Sequence, residues 1–254
     1  LTCATKEIEV PKWSAAERDL ILRQSNVPVN TLSLSVAEFL RNPRILSIAL
    51  EVFHNDVGAF GELSVDRLLF EHIMAGVRQD FGDDPVEFLE NLQKHARELL
   101  ARATTQTKDD LYIFASDVPA VADGRFFKPV NGEPRKYELS DDGLVLALGL
   151  SVIETLRRAE RNKHDLDDAL REVLEPIEAL DRTAEAVIAA ISVTSADDDV
   201  YSPEIACALI KGFSELQNPP SDALVVLVSF ARTRPQVFTE TARDLSLQSG
   251  HRPN

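Results

Sequence analysis

Residues 39–50 read Phe-Leu-Arg-Asn-Pro-Arg-Ile-Leu-Ser-Ile-Ala-Leu, and the proline in this stretch separates two predicted helices. The residue before a proline disfavours the α conformation, so a helix through Phe39 and Leu40 should end before Pro43. Pro43 then takes the first position of the next helix, where its missing N–H costs nothing. Apolar residues follow at helical spacing and predict one buried stripe: Leu46, Ala49, Leu50 and Phe53.

On the N-terminal side of this stretch, the pattern predicts two short strands and a helix. Leu1-Thr2-Cys3 is typical of the end of a buried strand, and residues 7–10 alternate as a short strand does. Ser14 followed by Glu17 forms a capping box, which predicts a helix running to about Arg23.

On the C-terminal side, helix caps lead into a β-hairpin. Ser64, Asp84-Pro85 and Thr107 with Asp110 each predict a helix start. Aromatic and β-branched residues then flank Asn131-Gly132, which is typical of a hairpin turn. Ser140 caps a long helix that follows the hairpin.

From about Asp165 the pattern is purely helical. Prolines are expected to mark the starts of helices here, at Pro176, Ser202-Pro203, Pro219-Pro220-Ser221 and Pro235. The helices pair at roughly 35–45 residues, near the spacing of HEAT-like repeats. We expect this array to have its own core, with Leu180, Ile188 and Leu209, separate from a core with Phe127, Tyr137 and Leu144.

In this order the pieces resemble the middle of a STAND-class P-loop NTPase, a class of signalling ATPases that includes bacterial antiphage sensors. Residues 1–3 look like the end of the sensor-1 strand, and the helix after Pro43 looks like the lid that follows the nucleotide-binding core. The hairpin and the helix from Ser140 look like a winged-helix domain. The resemblance covers roughly residues 1–153.

The resemblance, together with the helical pattern after about Asp165, predicts a mainly α fold with a small β-hairpin and three regions. Residues 1–60 would form the end of the nucleotide-binding domain and the helical lid. Residues 61–162 would form the winged-helix domain, and residues 163–254 the HEAT-like helical array. The only methionine is Met74, and we expect the chain to be an internal stretch of a longer protein.

The function that the resemblance implies is regulatory. The segment would couple ATP or ADP occupancy to homo-oligomerisation and effector activation in antiphage defence, with a protein trigger recognised by the helical array. It contains no Gly-x-x-x-x-Gly-Lys-Ser/Thr loop, so we expect no catalysis by this segment alone. ATP or ADP with Mg²⁺ would be held mainly by residues outside it.

Five residues are candidates for contact with that nucleotide. By the resemblance, Asn42, Pro43 and Arg44 would line the base and reach a phosphate; the alternative is an ordinary helix start. Ser140 and Asp141 lie where relatives carry a Met-His-Asp signature whose histidine senses the diphosphate. Serine replaces that histidine here, and a helix N-cap explains Ser140 without a ligand.

The charge of the chain bears on its partners. The 42 acidic and 27 basic residues give a net charge of −15. This charge opposes DNA binding, which needs a cationic surface. The predicted hairpin is locally basic and carries Arg125, Lys128, Arg135 and Lys136. This charge would suit either phosphate contacts or a solvated strand edge.

The sequence gives little support for a metal site or a membrane span. No His-x-x-x-His or Cys-x-x-Cys pair supports a zinc site. Two widely spaced cysteines are typical of a reduced, cytoplasmic protein, and no apolar run is long enough for a membrane span. Two rival functions stay open: a helical adaptor that binds a partner without nucleotide, and an acidic winged-helix transcription regulator.

Overall fold

The structure is a computed structural model of the 254-residue chain. It describes residues 11–32, 34–52, 64–80, 85–104, 113–114, 126–130, 132–133, 135–195, 201–216, 219 and 223–249. The chain is mainly helical, as predicted. Its contacts divide it into two units, residues 1–63 and residues 64–254, and each is described by itself below.

The described residues of the first unit form three helices, α1 (Ala15–Gln24), α2 (Leu34–Phe39) and α3 (Pro43–Val52), with a 3₁₀ turn at Val29–Thr31. The predicted capping box at the start of α1 is confirmed. The Ser14 hydroxyl accepts from the Glu17 N–H at 3.3 Å, and the Glu17 carboxylate accepts from the Ser14 N–H at 2.7 Å. Hydrogen bonds from the Ser14 side chain and then its backbone hold the pKa of Glu17 below its usual value.

The second unit begins with a helical region that contains a small sheet. Its elements are α4 (Val65–Asp80), α5 (Pro85–Thr104), β1 (Ile113–Phe114), β2 (Phe127–Pro129), β3 (Lys136–Leu139) and α6 (Asp141–Arg161). The predicted helix starts at Ser64 and Pro85 are confirmed, whereas the Thr107 cap lies outside the described residues.

The sheet has the strand order β1-β3-β2, and both pairs are antiparallel. The predicted hairpin is therefore confirmed, and β1 is an additional strand that the sequence pattern does not reveal. The loop between β2 and β3 contains two successive turns, closed by bonds from Glu133 N–H to Val130 O and from Lys136 N–H to Glu133 O. Gly132 and Arg135 have φ values of +82° and +74°, so each turn uses one left-handed residue.

Five more helices follow in the part of the chain that the structure describes: α7 (Leu166–Glu178), α8 (Thr183–Thr194), α9 (Pro203–Ser214), α10 (Ala223–Thr233) and α11 (Pro235–Ser249). Pro203 and Pro235 begin helices, as predicted. The predicted helix start at Pro176 is wrong, because Pro176 lies in the last turn of α7. A proline there removes only one intrahelical hydrogen bond shortly before the helix ends. Two of the predicted helix-start residues, Pro220 and Ser221, lie outside the described residues.

One continuous core runs through the second unit, so the expectation of two separate cores is wrong. Phe127 and Leu209 are both fully buried and belong to the same cluster, and Leu180 and Tyr137 pack against it. The reason is the long helix α6, whose buried positions from Leu146 to Ile153 lie on every side. It contacts the hairpin at its N-terminus and packs along α5, α7 and α8. The core thus continues across residue 162.

No helix in the described part of the chain combines the length and the hydropathy that a membrane crossing requires.

Candidate functional site

The start of α3 carries the first predicted group, Asn42, Pro43 and Arg44. The Asn42 side-chain oxygen lies 3.5 Å from the Ile45 N–H, as in a helix cap, and Pro43 is the first residue of the helix. Two hydrogen bonds fix the chain just before it, since Trp13 N–H donates to Arg41 O and the Arg41 guanidinium donates to Trp13 O. This corner is therefore well defined, whereas the side chain of Arg44 lies outside the described residues.

Ser140 and Asp141 form the N-terminus of α6. The Ser140 hydroxyl accepts from the Gly143 N–H at 3.0 Å, and the Ser140 N–H donates to Phe126 O at 2.7 Å. A Cβ on Gly143 would lie 2.5 Å from Phe126 O, so the helix start is pressed against the hairpin and a larger residue would not fit. These bonds make Ser140 an N-cap.

Asp141 is held by an arginine from another helix. Its carboxylate lies 2.6 Å from the guanidinium of Arg182, which also pairs with Glu185 at 2.6 Å. The hydrogen bond with Glu185 is the main reason that the pKa of Arg182 is raised, and Asp141 adds to it. The charge of Asp141 is therefore paired within the protein, where the start of α6 meets the start of α8.

The structure places the two predicted groups in different units. Asn42 and Pro43 belong to residues 1–63, and Ser140 and Asp141 belong to residues 64–254. Each group makes the contacts of a helix start. Their contact with a nucleotide stays a prediction.

A groove on the helical array is a feature that the sequence reasoning missed. It has a volume of about 810 Å³ and lies among α7, α8 and α9, with Leu245 of α11 at one side. Its floor is apolar, formed by Leu170, Leu174, Ala208 and Leu216, and its rim carries five carboxylates: Asp167, Glu178, Asp181, Glu185 and Glu215. We call this feature the acidic groove.

Two cations, Arg171 and Lys211, also line the acidic groove. The Lys211 ammonium lies 3.3 Å from the Asp167 carboxylate and links α9 to α7. Partial burial lowers the pKa of Lys211, but the hydrogen bond and charge of Asp167 outweigh that effect and the net pKa is raised. A neighbouring cavity of about 370 Å³ shares Asp167 and Lys211 and extends the acidic surface to α11.

A sequence signal for the acidic groove exists in α7. Asp167, Arg171, Leu174 and Glu178 recur at intervals of three and four residues, so they share one face of the helix. What the spacing alone does not show is that α8 and α9 stand beside this face and leave space between them.

Two of the four predicted basic residues of the hairpin are paired within it; Arg135 is exposed, and Arg125 lies outside the described residues. Lys128 lies 3.1 Å from Glu138, and Lys136 lies 3.3 Å from Glu133. These pairs reduce the positive charge that the hairpin presents, and they favour the interpretation of a solvated edge over that of a phosphate-binding wing.

Among the described residues, no three His, Cys, Asp or Glu side chains come together as a set of metal ligands. No protein-family model, no curated protein and no solved structure matches this chain.

Proposed function

We propose that this chain is a regulatory, non-catalytic segment of a cytoplasmic STAND-class NTPase, and that its helical array receives a protein trigger. In the longer protein, ATP or ADP with Mg²⁺ would be held mainly by residues outside the segment. Nucleotide state and trigger would together shift the population towards an oligomer that activates an effector, as in antiphage sensing. The residues named in the resemblance support the nucleotide part of this proposal, and the acidic groove supports the trigger part.

The observation that carries the proposal is the composition of the acidic groove. An apolar floor between two charged rims is the arrangement that accepts one face of an amphipathic helix. The apolar side chains of the partner would contact Leu170, Leu174 and Leu216. The rim carboxylates at Glu178, Asp181 and Glu215 select for a cationic partner, because opposite charges across an interface speed and orient association.

The trigger part is tested with a designed amphipathic peptide of about 16 residues, long enough to form a helix, with leucines on one face and lysines on the other. We expect it to bind the 254-residue chain in a fluorescence polarisation titration, while the same peptide with glutamates for lysines does not bind. Removing two rim charges in Glu178→Gln/Glu215→Gln should weaken binding about three- to tenfold.

The matched control is Glu133→Gln/Glu160→Gln, which removes two carboxylates outside the acidic groove. Equal affinities for the two double variants would show that the peptide responds to net charge alone. Failure of the wild-type chain to bind the cationic peptide would overturn the trigger part of the proposal.

The nucleotide part is tested in the longer protein. Pro43→Ala/Arg44→Ala should weaken ADP binding in isothermal titration by about ten- to a hundredfold, which is 1.5–3 kcal/mol for a lost charge-assisted contact. The melting temperature should stay close to that of the wild type. Pro203→Ala removes a proline from the first turn of α9 and serves as the control, with unchanged ADP affinity.

Equal dissociation constants for ADP would mean that Pro43 and Arg44 only begin a helix. Together with retained peptide binding, that result would favour the second candidate function, a helical adaptor that binds its partner without nucleotide. The acidic groove favours this candidate as well, since nothing in its lining requires a nucleotide. The 254-residue chain by itself should show no ATP turnover under either interpretation.

A further inference from the structure

A second groove in residues 64–254 has the opposite charge. It lies between α5 and α6 and has a volume of about 630 Å³. Its lining carries two carboxylates, Glu90 and Glu154, and five cations: Lys94, Arg97, Arg157, Arg158 and Arg161. We call it the basic groove. An excess of positive charge at this place contrasts with the net charge of −15 of the whole chain.

Most cations of the basic groove lack a carboxylate partner. Arg161 pairs with Glu154 at 3.1 Å, and the Arg157 guanidinium lies 5.9 Å from the centre of the Tyr201 ring. Among the described residues, no carboxylate lies within ion-pair distance of Lys94, Arg97, Arg157 or Arg158. Like charges one helical turn apart repel each other, so an anionic group seated between them would stabilise this surface.

The chain itself presents an anionic ridge of suitable shape. Asp168, Glu172 and Glu175 are exposed and follow one another at four and three residues along α7. At 3.6 residues per turn they lie on the side of α7 opposite its buried residues Leu170 and Ile177. We call these three residues the α7 ridge. They span about 10 Å along the helix, at 1.5 Å per residue.

The α7 ridge faces a different direction from the acidic groove, although the two surfaces are neighbours on α7. The α7 residues that line the acidic groove, such as Asp167 and Glu178, point roughly 100° away around the helix. Asp168 pairs with Arg171 of the same helix. Within the described residues no ridge carboxylate pairs with a cation of the basic groove in the same copy, so both surfaces remain open to another molecule.

We propose that the α7 ridge of one copy docks into the basic groove of a second copy. A convex helix with carboxylates one turn apart would lie between two helix walls with cations at the same spacing, Lys94 and Arg97 on one side and Arg158 and Arg161 on the other. The contact joins two different surfaces, so it produces a ring or a chain of subunits. It deepens the oligomerisation step of the proposed function.

The charge pattern favours a second copy over a nucleic acid. Phosphates continue along a nucleic acid beyond the groove and would run over the acidic surface of the protein. The charge of the α7 ridge ends after three residues. Repulsion between two copies is screened beyond about 8 Å at physiological ionic strength, so the local pairs decide the contact.

The test uses the 254-residue chain without nucleotide, so its outcome is separate from that of the ADP titration. In sedimentation equilibrium the wild-type chain should associate as its concentration rises. A groove variant, Lys94→Glu/Arg158→Glu, and a ridge variant, Glu172→Lys/Glu175→Lys, should each associate at least about tenfold more weakly, because attractive surface pairs become repulsive. Circular dichroism checks that both variants are folded.

An equimolar mixture of the two variants is the decisive sample. The acidified groove of one variant faces the basic ridge of the other, so mixing should restore association. The control Lys128→Glu/Arg243→Glu makes the same change in net charge as the groove variant, at other exposed sites, and should associate like the wild type.

A wild-type chain that stays monomeric at all concentrations would overturn the proposal, and so would a mixture that fails to recover. Binding of a single-stranded oligonucleotide that depends on Lys94 and Arg158, with a monomeric chain, would assign the basic groove to nucleic acid instead.

Discussion

Two helix–helix contacts in residues 64–254 each include a glycine, but the kind of atom that faces the glycine differs. Where α6 meets α8, a Cβ on Gly149 would lie 2.7 Å from the Ala189 Cβ and 2.9 Å from the Ala190 backbone nitrogen. Where α7 meets α9, a Cβ on Gly212 would lie 2.6 Å from the tip of the Leu170 side chain, and its next neighbour would be 3.7 Å away. The first contact joins two backbones, and the second joins a backbone to a flexible side chain.

The difference explains where a binding surface can form. Small residues on both α6 and α8 let the two helices approach closely, and that contact lies within the core. Leu170 keeps α7 and α9 further apart, and Leu170 and Gly212 both line the acidic groove. The candidate site is therefore located at the less closely packed of these two helix contacts.

The largest expected effect concerns the core that both contacts share. Leu209 of α9 is fully buried, so Leu209→Ala should destabilise the protein by about 2–5 kcal/mol. Because the core is continuous, hydrogen exchange of the α6 amides should accelerate together with that of α9. Leu224→Ala, at a position that is 70% exposed, is the control and should cost less than about 0.5 kcal/mol.

Acceleration confined to α9, α10 and α11 would contradict the shared core. It would restore the sequence-based picture of an array with its own stability.

An intermediate effect separates the two glycines. Gly149→Ala forces α6 away from the α8 backbone, which costs about 1–3 kcal/mol, while the better helix propensity of alanine returns about 1 kcal/mol. We expect a net loss of up to roughly 2 kcal/mol in thermal or denaturant unfolding. Gly212→Ala meets only the tip of Leu170, so it should be neutral within about 0.5 kcal/mol. Equal losses at both positions would remove the distinction between the two contacts.

The smallest expected effect is electrostatic and concerns the contact between α7 and α9. The Lys211–Asp167 pair links α7 and α9, but both side chains are one-third or more exposed. Asp167→Asn should therefore cost less than about 1 kcal/mol, and the cost should disappear in about 1 M salt.

The pH dependence of this pair follows from the raised pKa of Lys211. A raised pKa in the folded state means that the contribution is fully present below the unfolded value of about 10.4 and is lost as the pH rises through the folded value. The difference in unfolding free energy between wild type and Asp167→Asn should thus shrink as the pH rises through the folded pKa of Lys211. A difference that persists there would point to a packing effect of the substitution.

The sequence predicts the helix starts well because caps are local. Ser14, Ser64, Ser140 and Ser202 each accept a hydrogen bond from the backbone N–H three residues later. Such a bond depends on a short stretch of chain, so the residue pattern contains the necessary information. The same holds for the hairpin, whose strands carry the aromatic residues Phe127 and Tyr137 and whose turn contains Gly132.

The remaining features depend on contacts between residues far apart in the sequence. The two-residue strand β1 exists because Ile113 pairs with Tyr137 of β3, and a pattern of two residues gives no signal. The shared core follows from the fit of Gly149 against α8, and the periodicity of α6 alone does not identify its partners. The acidic groove is space left between helices, and its lining comes from segments more than 70 residues apart, such as Asp167 and Leu245.

The long helix α6 has a mechanical consequence for the proposed switch. Its first turn abuts Phe126 at the hairpin, and Gly149 locks its middle against α8. A helix held at both places cannot move relative to the hairpin or to α8 without breaking one of these contacts. The hairpin and α8 are thus fixed to the same helix, and a displacement of α8 beside the acidic groove would move the hairpin with it.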